Sequence, residues 1–284
     1  MSWEQEDVHA IRIARSARVS VPDREVLAAV RRARQLGLRV LLFPILTVRR
    51  TRPGQWRGAL RPREVGAWWL SYERFVLHHA ALAARGGAEA LLVGSELGFS
   101  EGWRDRWYHL LSRVERVYPG DLVYSANWDH YRHVSFLARL DHLGVSAYFP
   151  LTGEADASEA ELARAWRRHR AELARFARER GISLWLTEVG YQSRDGAAVR
   201  PWDHTAPGAV DLEEQRRALA ALRGAWEAAP AGEPAIGLFI WNWWGDGGPR
   251  DRDYTPRGKP AAALLRAWFR GGATTSPPPA GSSR

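Results

Sequence analysis

Short apolar runs alternate with longer amphipathic stretches along most of the chain. The runs are rich in branched and aromatic residues, whereas the stretches between them place apolar residues at helical spacing. This pattern predicts strands at 38–46, 90–95, 122–125, 142–148, 182–188 and 236–241. It predicts helices at 22–34, 62–85, 103–118, 130–139, 158–180, 211–228 and 259–270. Such alternation indicates parallel strands joined by right-handed crossovers.

The alternation persists to the last predicted helix and favours one α/β domain over residues 1–270, of the (β/α)8 TIM-barrel type. About six βα units are clear, so we expect a barrel that is incomplete at its N-terminus. Either 8–13 supplies a short additional strand, or the chain starts partway through the domain. The second alternative is favoured because a long loop and a helix follow the run 38–46, as they would follow a third strand.

Composition narrows the possible functions. The 284 residues contain no cysteine, which removes disulfides and thiolate chemistry. The net charge of +9 comes almost wholly from scattered arginines, since Lys259 is the only lysine, and we therefore expect no nucleic-acid partner. No apolar run approaches the roughly 20 residues that span a bilayer, so no membrane partner is expected. We expect a monomer, and the compartment stays open.

The C-terminal segment 271–284 has a different character from the rest of the chain. It is rich in proline, serine, glycine and threonine and has no apolar periodicity. Such a composition buries too little apolar surface to order a chain, and it predicts a disordered tail.

Two predicted strands end in a glutamate. Glu96 follows the run 90–95, and Glu188 closes the run 182–188. A parallel barrel delivers strand-end side chains into one pocket. Glycoside hydrolysis uses two such carboxyl groups, one to protonate the leaving oxygen and one to attack the sugar, about 5–5.5 Å apart in retaining enzymes. The alternative is that either glutamate is a salt-bridged structural carboxylate, and Asp129 is a further acidic candidate.

The chain has 15 tryptophans, whose indole rings cover the apolar face of a sugar well. Those within predicted helices are expected in the core. Polar and aromatic residues at or just after strand ends are the candidates for substrate binding: Asn127, Trp128, Tyr148, Tyr191, Trp241, Asn242 and Trp243. We expect Trp241 to stack beneath the sugar, Asn127 to bind hydroxyl groups and Tyr148 to stabilise the charged nucleophile.

Taken in order, several segments make the chain resemble glycoside hydrolase family 113, a family of retaining β-mannanase-like enzymes. These segments are GLRVLLFP at 37–44, VGSEL at 93–97, SANW at 125–128, AYFPL at 147–151, TEVGY at 187–191, WNW at 241–243 and DYTPRGKPA at 253–261. The resemblance implies a (β/α)8 barrel that cleaves a β-mannan, manno-oligosaccharide or related β-glycan. It further implies that Glu96 is the acid/base, that Glu188 is the nucleophile, and that no metal or organic cofactor is needed.

The sequence departs from the family's pattern at three places. Ser95 stands before the acid/base, where the larger clan of such barrels usually has asparagine. Ile45 follows Pro44 at a position where a polar residue is expected. The N-terminus resembles the family only from the end of its second strand, with Trp3 as a remnant of that strand.

Two rival interpretations stay open at this point. A catalytically silent carbohydrate-binding barrel would keep the tryptophans and lose the geometry of the carboxyl groups. A structural or assembly domain is compatible with the unusual N-terminus, but the intact pair of glutamates does not favour it.

Overall fold

The structure, a computed structural model, describes residues 2–52 and 55–271. Its strands are β1 (Ser2–Gln5), β2 (Leu41–Leu42), β3 (Ile45–Val48), β4 (Ala90–Ser95), β5 (Asp121–Asn127), β6 (His142–Ser146), β7 (Ser183–Val189) and β8 (Ile236–Ile240). Its α-helices are α1 (Asp23–Gln35), α2 (Val65–Gly86), α3 (Arg104–Glu115), α4 (Glu159–Arg180), α5 (Leu212–Glu227) and α6 (Pro260–Gly271). Residues 272–284 of the predicted tail lie outside the described residues, and Gly271 ends α6.

The strands form two sheets. In the larger sheet the order is β2-β4-β5-β6-β7-β8, and in the smaller one β1 pairs with β3. The pairs β1–β3, β2–β4, β4–β5 and β5–β6 are all parallel. This confirms the predicted α/β class, in which consecutive parallel strands are neighbours and helices connect them.

The described residues divide into two compact units. The first comprises the described residues up to 146 together with 180–187, and the second comprises 147–179 and the described residues from 188 onward. The division falls within β7, so that Glu188 and Val189 belong to the second unit. The single domain predicted over 1–270 stays a prediction.

The N-terminal strands differ from those predicted. Residues 8–13 form no strand, whereas Ser2–Gln5 does, and its Trp3 pairs in register with Leu46 of β3. The run 38–46 is interrupted by Pro44, which has no N–H to donate to a strand ladder, and it divides into β2 and β3. The two short strands then pair with different partners, β4 and β1.

The predicted helix 130–139 is wrong. Two short 3-10 turns, at Tyr131–His133 and Leu137–Arg139, replace it. Between them, the backbone N–H and the hydroxyl of Ser135 both donate to the carbonyl oxygen of Glu101, at 3.1 Å and 2.7 Å. Because this N–H is taken by a residue far along the chain, a helical ladder cannot run through Ser135.

Aromatic residues fill the space between the sheet and the helices of the first unit. Trp68 and Tyr72 of α2 stack with ring centroids 5.0 Å apart, and Trp107 of α3 stacks on Phe136 at 4.4 Å. All four side chains are fully buried. This confirms that the helical tryptophans Trp68 and Trp107 are core residues, and it places a rigid layer directly behind β4 and β5.

The second unit has a buried cation among its loops. The Lys259 ammonium donates to Ser193 Oγ and Asp251 Oδ1, both at 2.7 Å, and to the Asp253 carbonyl at 2.8 Å. Its side chain has no exposed surface, and burial lowers the pKa of Lys259. Three acceptors match the three donors of an ammonium group. The only lysine of the chain therefore ties the segment after β8 to the segment after β7.

We expect Lys259→Met to lower the free energy of unfolding by about 3–5 kcal/mol, because it leaves a carboxylate and a hydroxyl without their buried partner. The matched control is Arg223→Met, which removes a half-exposed ion pair with Glu227 within α5. That change is expected to cost about 0–1 kcal/mol. Urea unfolding of both variants measures the two losses, and equal losses would contradict the structural role assigned to Lys259.

Candidate functional site

The backbone around β4 sets the direction of Glu96. The register between β4 and β5 shifts between Leu92 and Gly94, which is a bulge-like irregularity, and the carbonyl freed at Val93 accepts the Tyr72 hydroxyl at 2.7 Å. A Cβ on Gly94 would lie 2.7 Å from that hydroxyl oxygen. Irregularities of this kind bend a strand and redirect the side chains that follow.

Glu96 follows the strand in a left-handed conformation, with φ at 55°. Such a conformation is uncommon for residues other than glycine and persists only where surrounding contacts hold it. Here the Glu96 N–H donates to the Ser125 carbonyl at 2.7 Å, and the next N–H, of Leu97, donates to the Tyr124 hydroxyl at 3.0 Å. Both acceptors belong to β5. The buried carboxyl group of Glu96 is therefore held at the carboxyl end of the sheet.

An arginine accompanies this carboxyl group. Arg57, in the short 3-10 turn Arg57–Ala59, places Nη2 2.8 Å from Glu96 Oε2 and 3.3 Å from Ser95 Oγ. The Arg57 side chain is 21% exposed, and the ion pair is thus partly shielded from water. No sequence pattern pointed to Arg57, because its contact joins residues 39 positions apart without a motif.

Glu96 borders an open cavity of about 240 Å³ in the first unit. The cavity is lined by residues of the segments after β3, β4 and β5: Trp56, Gly58, Arg61, Glu96, Gly98, Phe99, Glu101, Asn127, Asp129 and His130. Asn127 and Asp129 contact each other across one wall, with Nδ2 of the amide 2.8 Å from Oδ1 of the carboxylate. The structure therefore brings Glu96 and Asn127, two residues predicted from the sequence, to the same cavity.

A second buried carboxyl group lies at this cavity and was not predicted. Glu101 accepts the Tyr124 hydroxyl on Oε1 at 2.9 Å, and its Oε2 lies 3.2 Å from His130 Nδ1. Burial raises the pKa of Glu101, and its hydrogen bonds oppose that effect. Tyr124 thus links Glu101 to the Leu97 N–H. Through these hydrogen bonds Glu101 supports the backbone conformation at Glu96 and Leu97.

Glu188 occupies the corresponding position on β7, in the second unit. Its carboxyl group is buried, and Oε2 accepts the Tyr148 hydroxyl at 2.9 Å. Its carbonyl oxygen accepts the Ala147 N–H at 2.6 Å, just beyond β6. The Tyr148 ring meets Tyr254 edge-on, with centroids 6.0 Å apart. The structure therefore places the Tyr148 hydroxyl against the Glu188 carboxyl group, and the role predicted for this contact stays a prediction.

The end of β8 lies close to the end of β7. The Trp241 N–H donates to the Val189 carbonyl at 2.9 Å, and a Cβ on Gly190 would lie 1.9 Å from the Trp241 carbonyl oxygen. Only glycine fits there. Trp241 and Asn242 are half-buried and joined by a cis peptide bond, whereas Trp243 is 55% exposed. These three residues thus follow a strand end fixed beside Glu188.

Two further predicted residues have different surroundings. Tyr191 is 1% exposed, and its hydroxyl accepts the Trp166 indole N–H at 2.8 Å. The structure therefore places Tyr191 in the core of the second unit rather than on a surface open to a sugar. Trp128 is half-buried next to Asn127 in the first unit. For the two glutamates, the separation of about 5–5.5 Å expected between their carboxyl groups stays a prediction.

Among residues 2–52 and 55–271, no group of three or more His, Asp or Glu side chains is arranged to hold a metal ion. Within the same ranges, no helix combines the length and the apolar character that crossing a bilayer would require.

Comparison with solved structures shows strong similarity to family 113 enzymes. The structure of the β-mannanase AaManA from Alicyclobacillus acidocaldarius, in complex with ManMIm, is 31% identical. The match covers 95% of this chain and 85% of that chain, with a TM-score of 0.82. A second structure, a complex of a family 113 β-1,4-mannanase, is 23% identical and covers 95% of this chain and 86% of its own, again with a TM-score of 0.82.

A more distant likeness supports the fold alone. The catalytic domain of the family 26 endo-β-1,4-mannanase from Bacillus sp. JAMB-750 is 14% identical, with a TM-score of 0.56. It covers 87% of this chain and 69% of that chain. A search of curated proteins gave no match. Together the solved structures confirm the predicted (β/α)8-barrel fold class.

The model of glycoside hydrolase family 113 matches residues 1–259, nearly all of the described chain. With this match and the 31% identity to a solved member, the chain belongs to glycoside hydrolase family 113.

Proposed function

We propose that this protein is a retaining glycoside hydrolase that cleaves β-mannan, manno-oligosaccharides or a related β-glycan by double displacement. The family 113 structures that it resembles are β-mannanases, and its fold and family are theirs. The observation that carries the proposal is the setting of the two strand-end glutamates. Each is buried, lies at the end of a strand, and has a side-chain partner suited to a charged carboxyl group.

In the first step, one carboxylate oxygen of Glu188 attacks the anomeric carbon and forms a C–O bond. The glycosidic bond breaks with its electron pair on the leaving oxygen, and the proton of the Glu96 carboxyl group moves to that oxygen. The leaving sugar departs as an alcohol. The products of this step are a glycosyl ester on Glu188 and an ionised Glu96.

In the second step, the roles reverse. The Glu96 carboxylate takes a proton from a water molecule, whose oxygen bonds to the anomeric carbon. The ester bond to Glu188 breaks, and its electron pair returns to the carboxylate. Two inversions at one carbon leave the β configuration unchanged.

The contacts suit these roles in different ways. The Tyr148 hydroxyl stabilises the ionised form of Glu188, which is the form that attacks. Arg57 Nη2 lies 2.8 Å from Glu96 Oε2, beside the carboxyl group that activates water in the second step. We assign substrate binding to Asn127, Trp128, Trp241, Asn242 and Trp243, because they follow strand ends and keep exposed surface.

We expect Glu96→Gln to lower kcat on mannotriose by about 10²–10⁴-fold, the usual contribution of a general acid or base. Glu188→Gln should lower it further, since it removes the carboxylate that forms the glycosyl ester. Both variants should still bind mannotriose in calorimetry. The control Glu227→Gln makes the same change on the exposed surface of α5 and should leave kcat unchanged. An active Glu188→Gln enzyme would refute the assignment.

The products formed with azide distinguish the nucleophile from the acid/base. In Glu96→Ala, azide attacks the glycosyl ester and should give a β-glycosyl azide. In Glu188→Ala, azide takes the place of the nucleophile and should give an α-glycosyl azide from a β-glycosyl fluoride. Proton NMR of the products distinguishes the two anomers, and the opposite pairing would exchange the roles of the two glutamates.

Tyr148→Phe removes the hydroxyl that donates to Glu188 and should lower kcat/KM by about 10- to 100-fold, since a hydrogen bond to a charged group contributes about 1.5–3 kcal/mol. Because this bond favours the ionised carboxylate, the acidic limb of the pH profile should move to higher pH. Tyr118→Phe removes another buried hydroxyl, bonded to the Ala88 carbonyl, and is the control. A profile that shifts equally in both variants, or in neither, would contradict the role of Tyr148.

A further inference from the structure

A second tyrosine packs against the one that contacts Glu188. Tyr148 donates its hydroxyl to Glu188 Oε2 at 2.9 Å, and the ring of Tyr254 meets the Tyr148 ring edge-on. The ring centroids lie 6.0 Å apart, and the angle between the ring planes is 66°. Edge-to-face contact is a preferred arrangement of aromatic side chains. Tyr254 therefore has a defined orientation against the tyrosine that serves the proposed nucleophile.

The hydroxyl of Tyr254 is held in place. It donates to the Pro201 carbonyl at 2.7 Å, which joins the segment after β8 to the segment after β7. Burial raises the pKa of Tyr254. The hydroxyl therefore stays neutral over the pH range in which carboxyl groups and imidazoles titrate, and it keeps the proton that it donates. The outer end of this side chain is thus fixed.

The backbone of Tyr254 is held as well. Gln215, a fully buried residue of α5, donates through Nε2 to the Tyr254 carbonyl at 3.0 Å and to the Tyr191 carbonyl at 2.9 Å. The preceding carbonyl, of Asp253, accepts the Lys259 ammonium at 2.8 Å. Movement of this backbone would leave buried donors unsatisfied, which is costly. Tyr254 is therefore fixed at both ends within the second unit.

The hydrogen bond to Glu188 needs such a fixed neighbour. The Tyr148 hydroxyl lies at the far end of its side chain, so a small tilt of the ring displaces it from the carboxyl group. Hydrogen bonds between oxygens span about 2.5–3.0 Å and weaken steeply when their geometry is poor. A functional side chain must be held within about 0.5 Å of its working position by the groups packed around it. Tyr254 provides such packing for Tyr148.

We propose that Tyr254 is a positioning residue, which acts through Tyr148 to hold the hydroxyl of that side chain on the Glu188 carboxylate. The inference rests on the proposed function, because it takes Glu188 as the nucleophile. It also gives a role to the segment DYTPRGKPA at 253–261, which contains both Tyr254 and Lys259. The segment after β8 therefore contributes to the setting of a glutamate on β7.

The first test is hydrolysis of mannotriose by variants of the full chain. Tyr254→Ala removes the ring that packs against Tyr148. It should lower kcat by about tenfold and leave KM within about twofold, since a misplaced group beside the reacting atoms affects the transition state more than the bound substrate. Tyr254→Phe keeps the ring and loses only the hydrogen bond to Pro201. Its kcat should stay within about threefold of the wild type.

The matched control is Tyr108→Ala. It truncates a half-buried tyrosine of α3, in the first unit, whose ring lies against the Arg104 guanidinium. This change should leave kcat unchanged. Urea unfolding of every variant shows which of them are folded under assay conditions. Should Tyr254→Ala be unfolded, Tyr254→Leu takes its place, because leucine keeps apolar volume but has no aromatic ring.

A double-mutant cycle distinguishes positioning from a general loss of packing. In a Tyr148→Phe background, the hydroxyl that Tyr254 positions is absent. Tyr254→Ala should then lower kcat by no more than about twofold, whereas two independent losses would multiply.

The outcomes separate the two proposals. A wild-type protein that cleaves neither mannotriose nor mannan contradicts the proposed function itself. An active wild type leaves the hydrolase intact, and three results would then overturn the role of Tyr254. These are an unchanged kcat in Tyr254→Ala, a Tyr254→Phe variant as impaired as Tyr254→Ala, and losses that multiply in the cycle.

Discussion

A backbone hydrogen bond to a residue in, or immediately after, the adjacent strand holds each proposed catalytic glutamate at the carboxyl end of its own strand. The Glu96 N–H donates to Ser125 beyond β4, and the Glu188 carbonyl accepts from Ala147 at the end of β7. In a parallel ladder such bonds are evenly spaced, and they fix where each strand-end side chain leaves the sheet. The positions of both carboxyl groups therefore depend on the sheet rather than on flexible loops.

Polar or charged side chains offset the energetic cost of burying each carboxyl group. A buried carboxylate is costly unless it is paired or hydrogen-bonded, and the chain meets this requirement differently at the two sites. Arg57 provides a cation for Glu96, whereas the neutral hydroxyl of Tyr148 serves Glu188. Around Glu96, the Tyr124 hydroxyl joins the Leu97 N–H to buried Glu101. These contacts support the groups that change protonation state in the proposed reaction.

Much of this arrangement could be predicted from local sequence. The buried run at β4 has the bounds expected from its apolar residues, and the glutamates stood out because a carboxylate rarely follows such a run. The local pattern does not predict β1, because Ser2–Gln5 is mostly polar and has no alternation, and only the family resemblance placed Trp3 in a strand. Arg57 and Glu101 were missed because their roles arise from contacts between distant segments, which no local pattern encodes. Tyr191 follows a strand end but packs into the core, so position alone does not distinguish a ligand contact from a packing contact.

The central claim is that a sugar becomes bonded to Glu188 during turnover. A 2-deoxy-2-fluoro-β-mannosyl fluoride tests it most directly. The fluorine at C2 slows both formation and hydrolysis of the glycosyl ester, whereas the good leaving group at C1 speeds its formation only, so the ester accumulates. The account predicts a stoichiometric mass increase that maps to the peptide containing Glu188, and an intact Glu96. A label on Glu96 or on any other residue, or turnover of natural substrate with inversion at the anomeric carbon, would contradict it.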